Sequence, residues 1–319
     1  MKRSNEFMID LYCLGGASVD LVLDVPRHPL EGEKLLAQYH GQLPGGFIAN
    51  TACAAARLGL KAAWGGQIGD DAFGRRIIES FQEFGVGIED VKPHKDASSN
   101  FTVVLVQPGG ERTILVVTIL PTPPPLNAGM RSSLRHARIG YTALYAYDWY
   151  MEVAGLLHGG GGKSAVDLEK NTLQDIDAAK RMLKAADIVF SDEDALQKLT
   201  GNANVKDSVK EILSLGPEVV VLTRGSDGAD AFTATGKFTT GTYKVPIKDT
   251  TGAGDCFHAA FLYGMLSDFD FQSCLDFASA ASAILIQQVG ARRGLPSAAE
   301  VRKFIEKHDK EINCNELHG

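Results

Sequence analysis

The stretch Asp249-Thr-Thr-Gly-Ala-Gly-Asp255-Cys-Phe-His-Ala-Ala-Phe261 carries most of the structural information in this chain. Apolar residues follow the glycines at helical spacing, which predicts that residues 252–254 form a turn that opens a helix. A helix start presents free amide N–H groups and a partial positive charge, and glycine lets an anion approach the backbone. Asp255 then either stabilises the first turn or, beside a bound phosphate, takes a proton from an attacking hydroxyl.

The composition excludes several classes of protein. The chain has 319 residues, a formal net charge of −7 and 45% hydrophobic residues, which is typical of a packed globular protein and not of a disordered one. A pI near 5.6 argues against nucleic acid as a partner. No segment approaches the roughly 18 uninterrupted apolar residues of a membrane-spanning helix, so we expect no membrane partner either.

The cysteines indicate a reducing compartment. They are odd in number, scattered, and show neither a CxxC pair nor zinc-type spacing with histidine. They are Cys13, Cys53, Cys256, Cys274 and Cys314. We therefore expect a cytoplasmic protein with free thiols.

Short β-branched runs alternate with helical patterns along most of the chain. This alternation predicts a mostly parallel sheet with helices on both faces. Strands are predicted at residues 11–14, 62–65, 165–168, 187–190 and 219–223. Helices are predicted at residues 47–58, 173–185, 192–200 and 205–215.

Two stretches, residues 32–43 and 100–118, interrupt the alternation. In the second, FTVVLVQ and RTILVVT flank Pro108, Gly109 and Gly110, which predicts a β-hairpin. Neither stretch has a helix to pair with. Both are therefore expected to form a small separate sheet attached to one large α/β body.

Two motifs carry a resemblance to a known family. DTTGAGDCFHAAFLYG (residues 249–264) resembles the C-terminal signature of the ribokinase-like (PfkB) family of sugar and nucleoside kinases, and LPGGFIAN (residues 43–50), with the 24 residues after it, resembles the N-terminal signature. The resemblance covers residues 11–300. It implies an α/β fold, ribokinase-like, with three α/β/α layers, a mostly parallel central sheet and a small β-sheet lid. Residues 1–319 would form one kinase domain, with lid segments 32–43 and 100–118.

The resemblance also implies the catalytic groups. In the family, the GAGD amides stabilise the transferring phosphoryl group and the aspartate is the general base, which assigns these roles to Gly252, Ala253, Gly254 and Asp255. The same roles follow from the chemistry of a helix start with a carboxylate in its first turn. His258, one turn further, is expected to be a packed helix residue rather than a base.

The sugar site is expected near the amino-terminal motif. Gly45 and Gly46 allow close backbone approach to a ligand, and Asn50 can both donate to and accept from hydroxyls. Asp20 follows the first strand, where the family has a sugar-binding aspartate; ordinary turn chemistry explains it equally well.

The nucleotide site is expected in the second half of the chain. VVVLTRG (residues 219–225) resembles the strand and turn beside the nucleotide in the family, which would place Thr223 and Gly225 near ATP. Ser279 stands where the family often has a nucleotide-contacting asparagine.

Two cation sites are implied by the resemblance. Ser191-x-x-Asp194 lies where the family commonly has Asn-x-x-Glu, so Asp194 either acts on Mg²⁺ through water or is an ordinary acidic residue of a helix first turn. Asp249 and Thr251 would contribute to a site for a monovalent cation such as K⁺. The serine that sometimes completes that site is Gly294 here.

These observations predict an ATP-dependent sugar kinase that phosphorylates a hydroxyl of a ribose-like or fructose-like sugar. A keto-deoxy sugar acid or a nucleoside is the alternative acceptor, and a non-catalytic nucleotide- or sugar-binding relative is the alternative function. Arg292 and Arg293 are either surface charges or help to hold an anionic substrate. The family resemblance further suggests a homodimer formed through the lid.

Overall fold

The computed structural model describes residues 8–109 and 111–308, and it contains two sheets. The strands are β1 (Ile9–Leu14), β2 (Ser18–Asp24), β3 (Gln38–Gly45), β4 (Ala62–Gly65), β5 (Phe101–Val106), β6 (Arg112–Val117), β7 (Ala137–Ala143), β8 (Lys163–Leu168), β9 (Ile188–Asp192), β10 (Val219–Thr223), β11 (Ala229–Thr233) and β12 (Gly236–Thr240). The helices are α1 (Phe47–Leu58), α2 (Ala72–Phe84), α3 (Ala128–Arg135), α4 (Tyr147–Gly160), α5 (Ile176–Leu183), α6 (Glu193–Thr200), α7 (Val205–Leu215), α8 (Ala253–Leu266), α9 (Phe271–Leu285) and α10 (Ala298–His308).

The main sheet has eight strands in the order β12-β11-β10-β9-β8-β7-β1-β4. Six neighbouring strands of this sheet, β4, β1, β7, β8, β9 and β10, pair in parallel. Strands β11 and β12 extend the sheet beyond β10 in antiparallel orientation. The parallel strands are almost completely buried, because helices cover both faces. The predicted α/β/α class is confirmed.

Two hydrophobic clusters account for most of the packing on the two faces. The larger includes buried residues of α1, α2, α8 and α9, and the other includes buried residues of α5, α6 and α7. Both include side chains of the parallel strands, which alternate between the faces. The sheet is therefore the middle of three layers, and its carboxyl edge is left for a ligand site.

The second sheet has the order β3-β2-β5-β6 and contains parts of both predicted lid segments, so we refer to it as the lid. The predicted hairpin is confirmed, since β5 and β6 pair antiparallel from Phe101 with Val117 to Val106 with Arg112; Gly110 of its turn lies outside the described residues. The other predicted lid segment needs a correction, because strand structure begins only at Gln38 and continues to Gly45. The sheet also includes β2, which was not predicted. Its partner β5 is about 80 residues away in the sequence, so the pairing of these two strands leaves no local signal.

The helix predicted over residues 173–185 is shorter than expected and spans Ile176–Leu183. The helix begins after Asp175, which is its N-cap, because the Asp175 side chain accepts a hydrogen bond from the Ala178 N–H at 2.9 Å. The predicted bounds of α1, α7, β4 and β10 agree with the structure.

None of the helices in the described ranges is long and apolar enough to span a bilayer. Cys13, Cys53, Cys256 and Cys274 are buried free thiols, and Cys314 lies outside the described residues.

Asp71 joins the lid to the main body at the start of α2. Its carboxylate caps the helix through the Gly74 N–H (2.7 Å) and accepts from both the N–H (3.0 Å) and the hydroxyl (2.7 Å) of Ser99, two residues before β5. Burial opposes ionisation, but these hydrogen bonds outweigh it and hold the pKa of Asp71 below its ordinary value.

We expect Asp71→Ala to lower the free energy of unfolding by about 1–3 kcal/mol, because a helix cap and the hydrogen bonds to buried Ser99 are lost together. The measurement is urea denaturation at neutral pH. Asp70→Ala, at the exposed neighbour, is the matched control and is expected to change stability by no more than about 0.5 kcal/mol. Equal effects of the two substitutions would contradict the role of Asp71.

Candidate active site

The predicted helix start lies at the carboxyl edge of the main sheet. Gly252 is the N-cap of α8 with φ +78°, and a Cβ there would lie 2.7 Å from Ala291 Cβ, so both conformation and space require glycine. Ala253 and Gly254 are the first residues of the helix. The Ala253 N–H turns back to the Thr250 carbonyl (3.2 Å), whereas the next amides lie in the first turn, where helical N–H groups lack an acceptor within the helix.

Asp255 is held by a chain of side chains from three distant parts of the sequence. Asn50 Nδ2 donates to Asp255 Oδ2 at 2.8 Å, and Asn50 Oδ1 accepts from Arg292 Nε at 2.8 Å. The amide of Asn50 is therefore fixed in orientation, with its donor on the carboxylate and its acceptor on the guanidinium. The structure places Asn50 beside the expected base rather than at a solvent-facing position.

Arg292 is 6% exposed, so the surface-charge interpretation is wrong for it, while Arg293 is exposed. Besides its bond to Asn50, the Arg292 guanidinium donates to Ser80 Oγ (2.8 Å) and to the Gly45 carbonyl (2.9 Å) at the end of β3. Burial lowers the pKa of Arg292, and the neighbouring charges of Asp20 and Asp255 oppose that effect. One guanidinium thus links α1, α2 and the lid.

The electrostatics suit Asp255 to accept a proton. Burial raises its pKa to about 6, the hydrogen bond from Asn50 opposes the rise, and the Asp167 carboxylate adds to it. A carboxylate with a pKa near 6 is still ionised at neutral pH and is a stronger base than an exposed one.

A cavity of about 610 Å³ lies between the lid and the main body. Asp20 lines it from β2, and its Oδ1 accepts from Ser18 Oγ (3.2 Å) and Thr102 Oγ1 (2.7 Å). Asp20 is therefore a strand residue, which overturns the turn interpretation. A Cβ at Gly45 would lie 2.3 Å from Asp20 Oδ2, so glycine is needed for the close approach of β3 to this carboxylate. Gly46 also lines the cavity.

A second cavity, of about 360 Å³, lies on the other side of the α8 start. Five of the residues expected near the nucleotide or phosphoryl group line it: Thr223, Gly225, Ala253, Gly254 and Ser279. The Ser279 hydroxyl donates to the Gly241 carbonyl at 2.7 Å. Asp249 and Thr251 line the first cavity and Thr250 the second, so residues 249–254 form a wall common to both.

Asp194 does not lie in either cavity. Its side chain is 68% exposed and forms an ion pair with Lys170 at 2.8 Å, as expected for an acidic residue of a helix first turn. Within residues 8–109 and 111–308, no group of three or more His, Cys, Asp or Glu side chains is suited to hold a metal ion by itself.

A different acidic pair lies near Asp255, at the end of β8. Burial raises the pKa of Glu169 to about 7, and the charges of Asp167 and Asp255 add to the rise. Tyr141 donates to Asp167 Oδ2 at 2.9 Å and lies 2.9 Å from His258 Nδ1. His258 is 6% exposed and stacks on a phenylalanine ring, so the prediction of a packed helix residue is confirmed.

Asp249 and Thr251, the expected ligands of a monovalent cation, contact the lid. Arg112 Nη2 lies 2.6 Å from Asp249 Oδ1, and Arg112 Nη1 donates to the Thr251 hydroxyl. Three charged residues of the site were thus not given a role from the sequence: Arg112, Asp167 and Glu169. Arg292 was considered only as a surface charge or as a contact to an anionic substrate, and not as the partner of Asn50. Only Asp167 and Glu169 carried a signal, because Asp167 lies near the end of a predicted strand and Glu169 directly follows it, at the edge where ligands bind.

Comparisons with known proteins agree with this arrangement. The family description "pfkB family carbohydrate kinase" matches residues 8–119 and 153–298. A 5-dehydro-2-deoxygluconokinase of Shouchella clausii is 28% identical, with 93% of this chain and 96% of the relative covered, and a ribokinase of Arabidopsis thaliana is 28% identical, with 93% and 81% covered. A solved structure of Arabidopsis thaliana ribokinase complexed with ribose and ATP superposes with a TM-score of 0.83 at 26% identity, covering 93% of this chain and 99% of that one.

The matched residues include the lid, the loop of residues 249–254 and the helix that carries Asp255. The family match extends over more than half of the chain, and the relatives are matched over most of their length. The chain therefore belongs to the pfkB family of carbohydrate kinases, ATP-dependent phosphotransferases that act on a sugar hydroxyl.

Proposed function

We propose that this chain transfers the γ-phosphoryl group of ATP to a hydroxyl of a small ribose-like or fructose-like sugar, with Asp255 as the general base. The observation that supports this most strongly is the position of the α8 start between two cavities, with a carboxylate of raised pKa in its first turn. The acceptor occupies the cavity under the lid, and ATP occupies the second cavity beside Thr223, Gly225 and Ser279.

In this proposal Asp255 takes the proton of the acceptor hydroxyl as its oxygen attacks the γ-phosphorus, and the bond from that phosphorus to the bridging oxygen of ADP breaks. Asn50 donates to the other side of the carboxylate and holds it in position. The amides of Gly252 and Gly254, together with the helix dipole, stabilise the negative charge of the transferring group, and the Ala253 N–H joins them by exchanging its Thr250 acceptor (3.2 Å) for a phosphoryl oxygen. Lid closure excludes water, which limits hydrolysis of ATP.

Mg²⁺ fits this site as a partner of the nucleotide phosphates. It binds through one or two carboxylates with substrate phosphates supplying further ligands, so a complete protein cage is not needed. The candidate carboxylates are Asp167 and Glu169 at the end of β8, which interact electrostatically with Asp255. Like Asp194 they line neither cavity, but Asp194 is in addition 68% exposed and paired with Lys170. When bound, the ion neutralises charge on the β- and γ-phosphates.

The acceptor contacts are proposed from the polar end of the lid cavity. Asp20, oriented by Ser18 and Thr102, accepts hydrogen bonds from hydroxyls of the sugar, and Gly46 lines the cavity beside it. Gly45 and Asn50 do not line the cavity: Gly45 lets β3 approach Asp20, and Asn50 acts through Asp255. A keto-deoxy sugar acid is the second candidate, because Lys248 also lines this cavity and one relative is a 5-dehydro-2-deoxygluconokinase.

We also propose a homodimer formed through the lid. Strand β6 lies at the edge of the lid sheet, and its Ile114, Leu115 and Val116 side chains are 57%, 53% and 72% exposed. An apolar edge strand with both faces exposed is a surface for association, and a second copy offers the same strand. The buried free thiols are consistent with the expected cytoplasmic location.

The activity is tested by ADP release with ribose, fructose, 5-dehydro-2-deoxygluconate and uridine as acceptors. We expect turnover with at least one sugar, and Asp255→Asn should lower kcat by about 10²–10⁴ because the base is lost. ATP affinity, measured by calorimetry, should stay nearly unchanged. Asp268→Asn, at an exposed aspartate beyond the end of α8, is the matched control and should retain full activity. Full activity of Asp255→Asn would refute the assignment of the base.

The pH dependence follows from the raised pKa of Asp255. With a pKa of about 6, the ionised fraction of the base is nearly complete above pH 7 and falls about tenfold per pH unit well below pH 6. We therefore expect kcat/KM to decline on the acid side of pH 6. The residual rate of Asp255→Asn should be flat over the same range, and an acid decline that persists in that variant would assign the titration to another group.

The dimer is tested by sedimentation velocity. Leu115→Glu introduces a charge into the edge strand and is expected to shift the protein from dimer to monomer. Leu36→Glu, at a residue that is 93% exposed outside the lid strands, should keep the mass of the parent. A monomeric parent protein would contradict the proposal.

A further inference from the structure

Arg112 bridges the lid and the loop that opens α8. It is the first residue of β6, and its side chain crosses the cavity wall to reach Asp249 (2.6 Å) and the Thr251 hydroxyl. The Arg112 side chain is 30% exposed and that of Asp249 is 7% exposed, so this ion pair is largely shielded from solvent. The lid thus places a full positive charge where a monovalent cation was expected.

The Asp249 carboxylate has little capacity left for such a cation. Its Oδ1 accepts from the Thr251 N–H (2.8 Å), the Thr251 hydroxyl (2.6 Å) and Arg112, and its Oδ2 accepts from the Gly290 N–H (2.8 Å). A carboxylate accepts about four hydrogen bonds. These hydrogen bonds also lower the pKa of Asp249 to about 2 against the opposing effect of its burial, which keeps it ionised for its pairing with Arg112. K⁺ could bind this carboxylate only by displacing the guanidinium.

The loop around Gly294, which would complete the cation site, has no space for one of the ligands of that site. A Cβ at Gly294 would lie 2.6 Å from the Leu285 carbonyl oxygen, so the backbone has no room for the serine side chain that supplies a ligand in some relatives. This observation is independent of Arg112: the loop cannot supply a serine ligand, and the guanidinium occupies the position of the charge, so a monovalent cation does not fit while Arg112 is in place.

We propose that Arg112 takes the place of the monovalent cation, so that the lid itself supplies the charge that neutralises Asp249 and turnover needs no K⁺. This inference rests on the proposed kinase function. Arg112 is a positioning residue in it, because it acts on the phosphoryl group through Asp249, Thr251 and the amides that follow them.

The consequence is that lid closure and the ordering of the α8 start become one event. Asp249 holds the Thr251 N–H, and Gly252 follows directly as the helix N-cap. In the closed state Arg112 neutralises Asp249; in an open state that carboxylate would face the cavity without its guanidinium. ATP in the second cavity would then meet an ordered set of amides only after the lid has closed over the acceptor.

The test compares cations at a constant ionic strength of about 0.1 M. For the parent protein we expect kcat and the KM for ATP to agree within about twofold in potassium, sodium and tetramethylammonium chloride. Arg112→Met keeps much of the side-chain length without the charge, and it should lower kcat about 10- to 100-fold in tetramethylammonium, with partial, saturable recovery on adding KCl. The kcat of Arg112→Lys should lie between those of the parent and of Arg112→Met, and it should not depend on K⁺.

Arg27→Met is the matched control, since Arg27 also pairs with a carboxylate, that of Glu33, but lies outside the lid cavity. It should behave as the parent does in every salt. A parent enzyme that needs K⁺, or an Arg112→Met variant without any defect, would overturn the inference.

A second measurement keeps the inference testable if none of the acceptors is turned over. Thermal unfolding in the same three salts should give the parent equal midpoints, whereas Arg112→Met should be stabilised by K⁺ over tetramethylammonium because Asp249 then has a vacant partner position. Stabilisation of the parent by K⁺, or no specific effect of K⁺ on Arg112→Met, counts against it. Failure of the acceptor panel with the expected thermal pattern would refute the kinase proposal alone.

Discussion

The buried guanidinium of Arg292 is the interaction on which the site depends. It donates to Asn50 Oδ1, Ser80 Oγ and the Gly45 carbonyl, all neutral acceptors, at 2.8–2.9 Å. A buried charge without a directly paired carboxylate is costly, and it is tolerated here because three charge-assisted hydrogen bonds replace its hydration. Those same bonds orient the Asn50 amide, which in turn holds Asp255. The position of the proposed base is therefore set by an arginine 37 residues further along the chain.

The loop that carries Arg292 also connects both ends of the lid to α8. Through Arg292 it holds Gly45 at the end of β3, and through the Gly290 N–H it holds Asp249, which pairs with Arg112 of β6. The guanidinium groups of Arg112 and Arg292 thus lie on the acceptor side of the α8 start. On the β8 side, the carboxyl groups of Asp167 and Glu169 interact electrostatically with Asp255. Among the residues that the structure describes, no Lys or Arg lines the second cavity, so the positive potential there comes from the amides and dipole of the α8 start. This local charge reconciles the acidic composition of the chain with the proposed binding of an anionic nucleotide.

Much of the fold could be predicted because its elements have local causes. Glycine ends α1 and starts α8, and buried parallel strands are continuous apolar runs, so their bounds agreed closely with the structure. The pairing of β2 with β5 could not be predicted, because it joins residues about 80 positions apart. Among the site residues, the glycines, Asn50 and Asp255 belong to motifs, whereas Arg112 stands in a hairpin with no motif and Arg292 is one of two adjacent arginines that a sequence cannot tell apart.

By itself the sequence determined the α/β class, the helix start with its glycines, and the presence of a carboxylate in that first turn, because each depends on residues within a few positions of one another. Only the tertiary structure decided which charges meet. It buried Arg292 and exposed Arg293, placed Asp194 in solvent beside Lys170, and brought the lid's Arg112 to Asp249. The physical reason is that an ion pair depends on distance in space and on burial, and neither is encoded in the local periodicity of a chain.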